Sequence, residues 1–161
     1  MSETVTWLDL LADHRWAALG TIDDDGAPFV SSVAFALEGS SQPGLLMHLS
    51  QLASHTGNLL SRKASSLLIA EADHAGVKDP QSLPRLTLVG ESVVIPREHE
   101  DFDGARQQYL ERFPEAEMRF GFSDFHLFRF IPGRGNFVGG FGSAKKISGE
   151  KIKTSWGDSF A

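Results

Sequence analysis

Asp25-Gly26, set between the runs WAALGTI and PFVSSVAFAL, constrains the fold of this chain more than any other feature. Glycine accepts positive φ without steric penalty, so the dipeptide turns two β-rich runs back on each other as a hairpin. Strands are expected near 15–22 and 28–38. A chain that opens with antiparallel neighbours has already departed from a βαβ rhythm.

The later segments keep that departure. GSSQPG reads as a turn, LLMHLS as a third strand, SQLASHTGNLLSR (50–62) as a helix and SSLLIAEA as a fourth strand. DHAGVKDPQSLP reads as a loop, and RLTLVGESVVI as a long strand that bulges or bends at Gly90. FHLFRFIP is apolar on both faces, as a sixth strand covered on both sides would be, and RGNFVGGFG is able to continue as another after a turn at Pro132-Gly133. Val5, Leu8 and Leu11 or Ala12 mark a first amphipathic helix ending near His14. Between Pro96 and Pro114, residues 97–113 place Phe102, Tyr109, Leu110 and Phe113 on one helical face. The stretch from about 145 to 161 is polar and reads as an extended tail. The sum is one domain over 1–161 of mostly β, α+β character. It is a six-stranded antiparallel barrel with peripheral helices.

Composition removes several kinds of chemistry. The chain has no cysteine, which excludes disulfides, thiolate nucleophiles and thiolate-held metals. A net charge of −6 argues against a general nucleic-acid binder, since duplex binding relies on Lys and Arg meeting phosphates. No window reaches the roughly 18 apolar residues of a membrane span, and the acidic N-terminus lacks the basic region of a signal peptide, so a cytoplasmic protein is expected. G-x-S-x-G is absent. The six histidines show neither an i, i+4 pair nor a His-x-His pair, so no metal site is expected. GRGNFVGGFGSAKK does not fit the phosphate-binding pattern G-x-x-x-x-G-K-[ST]; it reads as a bulge or turn, or as a place where backbone approaches a flat ligand beside Lys145 and Lys146.

Within 50–62, Gln51, Ser54, His55 and Asn58 recur at i, i+3, i+4 and i+7. This neutral, donor-rich stripe is either a half-exposed helix face or an anion site, because a helix that follows a strand offers unpaired N–H groups and its positive dipole end.

GTIDDDGAPFVSSVAFAL, LSQLASHTGNLLSRKASSLLIAE and RLTLVGESVVI, in that order, resemble the pyridoxamine 5'-phosphate oxidase-like FMN-binding split barrels. FSDFHLFRFIPGRGNFVGGFGSA is similar to the heme-utilisation branch of that family. The resemblance implies a Greek-key split barrel that forms a homodimer with FMN at the subunit interface. It implies FMN contacts at Ser31, Ser32 and Val33, at Ser50 and Gln51, and phosphate contacts at Ser54 and His55 with Thr56 and Asn58 beside them. Arg85 falls at a position that meets the flavin ring. An FMN-dependent oxidoreductase acting on a small-molecule substrate follows as the first expectation, with no catalytic residue assigned. Ser54-His55 stands where the vitamin B6 oxidase has an Arg-Lys pair, and Ser31 where it has an arginine, so phosphate binding would be less charge-assisted. The second expectation is the same barrel without flavin, holding heme, another tetrapyrrole or a protein partner. The strands FHLFRFI and SSVAFAL, apolar on both faces, need cover from helices or a second subunit, and the subunit is the preferred cover.

Overall fold

The computed structural model describes residues 5–40, 42–140 and 142–161. Helix α1 (Trp7–Asp13) opens on a capping box in which Asp9 N–H donates to Thr6 Oγ1 and Thr6 N–H donates to Asp9 Oδ2, at 3.2 and 2.7 Å. Strand β1 (Trp16–Ile22) pairs antiparallel with β2 (Pro28–Ala34) along its whole length. The turn between them rests on Gly26 at φ +82° and on the Asp23 carboxylate, which accepts from Asp25 and Ala27 N–H at 3.0 and 2.8 Å.

The strand expected over 28–38 breaks at Phe35, whose N–H donates to the Arg15 carbonyl at 3.0 Å. Beyond the break, β3 (Ala36–Leu37) pairs with β4 (Leu45–Ser50) instead of β1. This bend carries the chain from one end of the sheet to the other and curls it into a split barrel. The remaining elements are α2 (Ser54–Ser61), β5 (Ala64–Ala70), β6 (Arg85–Val94), α3 (Phe102–Arg112), β7 (Phe125–Val138), β8 (Ala144–Ser148) and α4 (Gly149–Phe160). Short 3₁₀ helices occupy Pro80–Ser82 and Pro114–Gly121. The strand order is β2-β1-β5-β6-β7-β4-β3 with β8 added on β7, all antiparallel. The fold is α+β as expected. The count is not: eight strand segments appear among the described residues where six were expected, because of the break at Phe35 and the extra strand β8.

Strand β7 runs straight through Pro132-Gly133 without the expected turn. Its irregularity is a bulge: Val89 lies opposite Arg134 and Gly90 opposite Pro132, which leaves Gly133 over. A Cβ on Gly90 would run into the Ile131 carbonyl, so glycine is required there. The extended tail is also corrected. Residues 144–160 form β8 and α4, and Ile152 and Trp156 are fully buried. Ile152, Trp156 and Phe160 recur every four residues, which suffices to dock an otherwise polar helix.

The barrel interior is filled by Leu19, Met47, Leu67, Leu86, Phe128 and their neighbours. A second cluster lies on the other side of β4 and β7, where Leu46 and Leu127 meet Phe102, Tyr109 and Phe113 from α3 and its C-terminal cap. Helices therefore cover one outer wall. The outer wall of β1, β2 and β5 is bare: Trp16, Val30 and Leu68 are 60%, 68% and 40% exposed. No helix among the described residues is long and apolar enough to cross a membrane.

Candidate functional site

Alternation along β2 decides which of its side chains can serve a site. Val33 and Phe35 are buried in the barrel, and Ser31 shares their face, while Ser32 points to the bare outer wall with Val30. The three expected positions Ser31, Ser32 and Val33 are thus divided between two faces. Facing Ser31 is α2, which starts at Ser54 behind an Ala53 N-cap that makes no side-chain cap. His55 is half-buried, and its Nδ1 lies 2.8 Å from Ser31 Oγ. Burial lowers the His55 pKa from its ordinary value, so the ring is neutral at pH 7. Where Nδ1–H donates to Ser31 Oγ, Nε2 keeps a free lone pair, the tautomer a metal-ligating imidazole needs.

Thr56 and Asn58, expected beside a phosphate, turn into the protein instead. Asn58 Nδ2 donates to Thr21 Oγ1 at 2.9 Å in a buried contact, and the fully buried Thr56 Oγ1 has no hydrogen-bond partner. Ser54 is exposed at the helix start. Ser50 and Gln51 precede α2 and belong to a different group: Gln51 N–H donates to the Asp124 carbonyl at 2.6 Å, and Gln51 Oε1 lies 3.3 Å from His126 Nε2. Arg85 is remote from both. It opens β6 opposite Ala70, six residues along β5 from the end that receives α2, or about 20 Å of strand. Its guanidinium donates to the Gln81 and Leu83 carbonyls at 2.8 and 3.2 Å. One chain therefore gathers Ser31, Ser54 and His55 and leaves Arg85 at the far end of the sheet.

Sequence reasoning asked for cover over SSVAFAL but missed the hollow in the bare wall beside this group. The hollow, of about 350 Å³, is lined by Gly20, Ile22, Pro28, Phe29, Val30 and Val89 among others. Phe29 is two residues from Ser31 on the same strand, which connects the hollow to the His55 group. The available signal was strand parity: Trp16, Ala18 and Gly20 on β1 register with Ala34, Ser32 and Val30 on β2, a continuous small or apolar outer face.

The other histidines are placed differently. His48 is buried against Phe120, their rings stacked at 3.7 Å, with its Nδ1 unpartnered. Burial first, then Arg119, Arg97 and His126, lower its pKa to about 4. His14 Nδ1 lies 3.1 Å from the Leu10 carbonyl, and His74 and His99 are exposed.

The family model described as CREG, beta-barrel matches residues 8–153. Heme oxygenase HutZ of Vibrio cholerae is 34% identical over 143 residues, covering 87% of this chain and 78% of that protein. The chloroplastic non-canonical heme oxygenase HOZ of Arabidopsis thaliana is 33% identical over 134 residues, 82% of this chain but 38% of that longer protein. A heme binding protein from Mycobacterium smegmatis superimposes with a TM-score of 0.79 at 26% identity, over 90% of this chain and 57% of that one. These relatives are named for heme, which overturns the expected FMN-dependent oxidoreductase. The physical reason lies in α2, whose first turn offers Ser54, His55 and Thr56 and no Lys or Arg for a flavin phosphate.

Proposed function

The chain belongs to the CREG β-barrel family, and from that premise we propose that it binds heme or a closely related tetrapyrrole on a barrel without flavin. The observation that carries the reading is the His55–Ser31 pair. A neutral, half-buried imidazole oriented through Nδ1 presents Nε2 as a ligand for the iron of a heme. Heme supplies the redox-active iron when bound; the chain supplies orientation and apolar cover. Phe29, Ile22, Pro28 and Val30 around the neighbouring hollow offer that cover. The relationship to HutZ along most of both chains supports the same ligand class.

The reading includes a homodimer in which the bare wall of β1, β2 and β5 meets its copy, with the ligand at the interface. Trp16, Val30 and Leu68 support it, as large apolar side chains that no other described residue of the chain covers. The cytoplasmic location expected from the sequence goes with this reading.

Hemin titration tests it. The wild type is expected to develop a saturable Soret band at one equivalent per chain. His55→Ala is expected to lose that band or shift it to a weaker complex, with an unchanged melting temperature, while His126→Ala keeps it. Identical spectra for the wild type and every histidine variant would reduce the binding to nonspecific adsorption and overturn the proposal.

A further inference from the structure

The last third of the chain carries a charge asymmetry that the heme reading does not use. Between 134 and 153 stand five of the fifteen Lys and Arg residues and a single acid, Glu150, in a chain whose net charge is −6. The topology brings three of these lysines to one groove. Strand β8 sets Lys145 directly opposite Phe137 of β7, on the same face of the ladder. α4 adds Lys151, and the start of α1 closes the third side. The groove, about 400 Å³, has an apolar floor of Val5, Trp7, Leu8, Phe137 and Ile147, with Lys145, Lys146 and Lys151 at its rim. None of the three lysines lies within ion-pair distance of a carboxylate among the described residues.

Ser155 adds a hydroxyl to the lining of the groove. Ammonium groups with no carboxylate near them among the described residues, set beside a hydroxyl donor, favour an acceptor rich in lone pairs. The apolar floor favours a hydrocarbon body attached to it.

We infer that the groove between α1, β8 and α4 is a binding site for a small amphipathic carboxylate. Its apolar body lies on Trp7 and Phe137, and its carboxylate accepts from Ser155 Oγ and the lysines of β8 and α4. The site is separate from His55 and does not depend on it. The same chemistry comes from an aliphatic chain or from a flat ring, and two probes distinguish these sources.

Titration of the purified full chain with decanoate and with 2-naphthoate, read by calorimetry and by Trp7 fluorescence, tests the inference. At least one probe is expected to bind saturably at one site per chain, and the tighter one names the source. A Lys145→Gln/Lys151→Gln double variant is expected to weaken it at least tenfold. Ser155→Ala is expected to weaken it by a smaller factor, with melting temperatures unchanged in both. Trp7→Phe removes the fluorescence response and keeps the calorimetric one. Absence of saturable binding by both probes would overturn the inference, as would decanol binding as tightly as decanoate, or affinity that survives the lysine substitutions. His55→Ala leaves carboxylate binding intact and the lysine variant leaves the hemin Soret band intact, so failure of one reading is distinguishable from failure of the other.

Discussion

His48 shows how a single buried side chain ties the stability of this fold to pH. Its ring is enclosed by Phe120, Tyr109 and Phe125, and its Nδ1 finds no partner, so the neutral form is the one the fold accommodates. Burial, with Arg119, Arg97 and His126 nearby, lowers its pKa from 6.5 to about 4. In the unfolded chain the ring takes up a proton near pH 6.5, which the folded chain refuses until about pH 4. The contribution is therefore complete above pH 6.5 and is lost as pH falls through that window. Its size is on the order of 3 kcal/mol. Urea unfolding between pH 7 and pH 4 is expected to show this loss in the wild type. His48→Phe is expected to show a flatter profile over the same range, and a profile parallel to the wild type would refute the assignment. None of this was legible in the sequence, where His48 is one residue of the strand LLMHLS; its partners Tyr109 and Phe120 lie more than sixty residues away. Ser31 entered through the family resemblance alone, although it shares its face of β2 with the buried Val33. Its contact with His55 required the placement of α2, which no local pattern supplies.

Elements with regular periods were readable, and those held by a few long-range anchors were not. The hairpin of β1 and β2, strand β6 with its bulge at Gly90, and the buried face of α3 all follow from local spacing and turn chemistry. The C-terminal helix failed that reading because its polar residues outnumber its apolar ones, although Ile152, Trp156 and Phe160 form a stripe. Ser148 Oγ caps α4 by accepting from Lys151 N–H at 3.2 Å, and Trp156 Nε1–H donates to the Glu38 carbonyl at 3.0 Å. Glu38 is itself ion-paired with Arg129 of β7, so α4 is fastened to the bend after β3 as well as to the core. Truncating Trp156 removes a fully buried indole and a buried hydrogen bond together. Trp156→Ala is expected to lower unfolding free energy by about 3–5 kcal/mol, measured by urea denaturation, whereas Lys153→Ala on the exposed face stays within about 0.5 kcal/mol. A Trp156→Ala change below about 1 kcal/mol would mean that α4 adds little to the fold.

At the scale of the molecule, the question is what covers a sheet that is apolar on both sides. The sequence posed it and favoured a second subunit over helices for both strands, whereas the structure divides the answer by region. α3 and the 3₁₀ helix after it take the wall of β4 and β7, where Leu46 and Leu127 are buried. The wall of β1, β2 and β5 receives no cover from the described residues of its own chain, and its free side chains are small or apolar instead of the lysines that guard a solvated sheet. A second copy meeting this wall would bury Trp16, Val30 and Leu68 around a two-fold axis. Light scattering at micromolar concentration is then expected to report twice 17.6 kDa for the wild type and 17.6 kDa for Val30→Asp, since a carboxylate has no partner at the centre of an apolar interface. Because Val30 and Phe29 also line the hollow beside Ser31 and His55, the two properties are coupled: the monomeric variant is expected to bind hemin more weakly although His55 is untouched. A Val30→Asp protein that is monomeric and binds hemin as tightly as the wild type would place the ligand away from the interface and leave His55 to act within one chain.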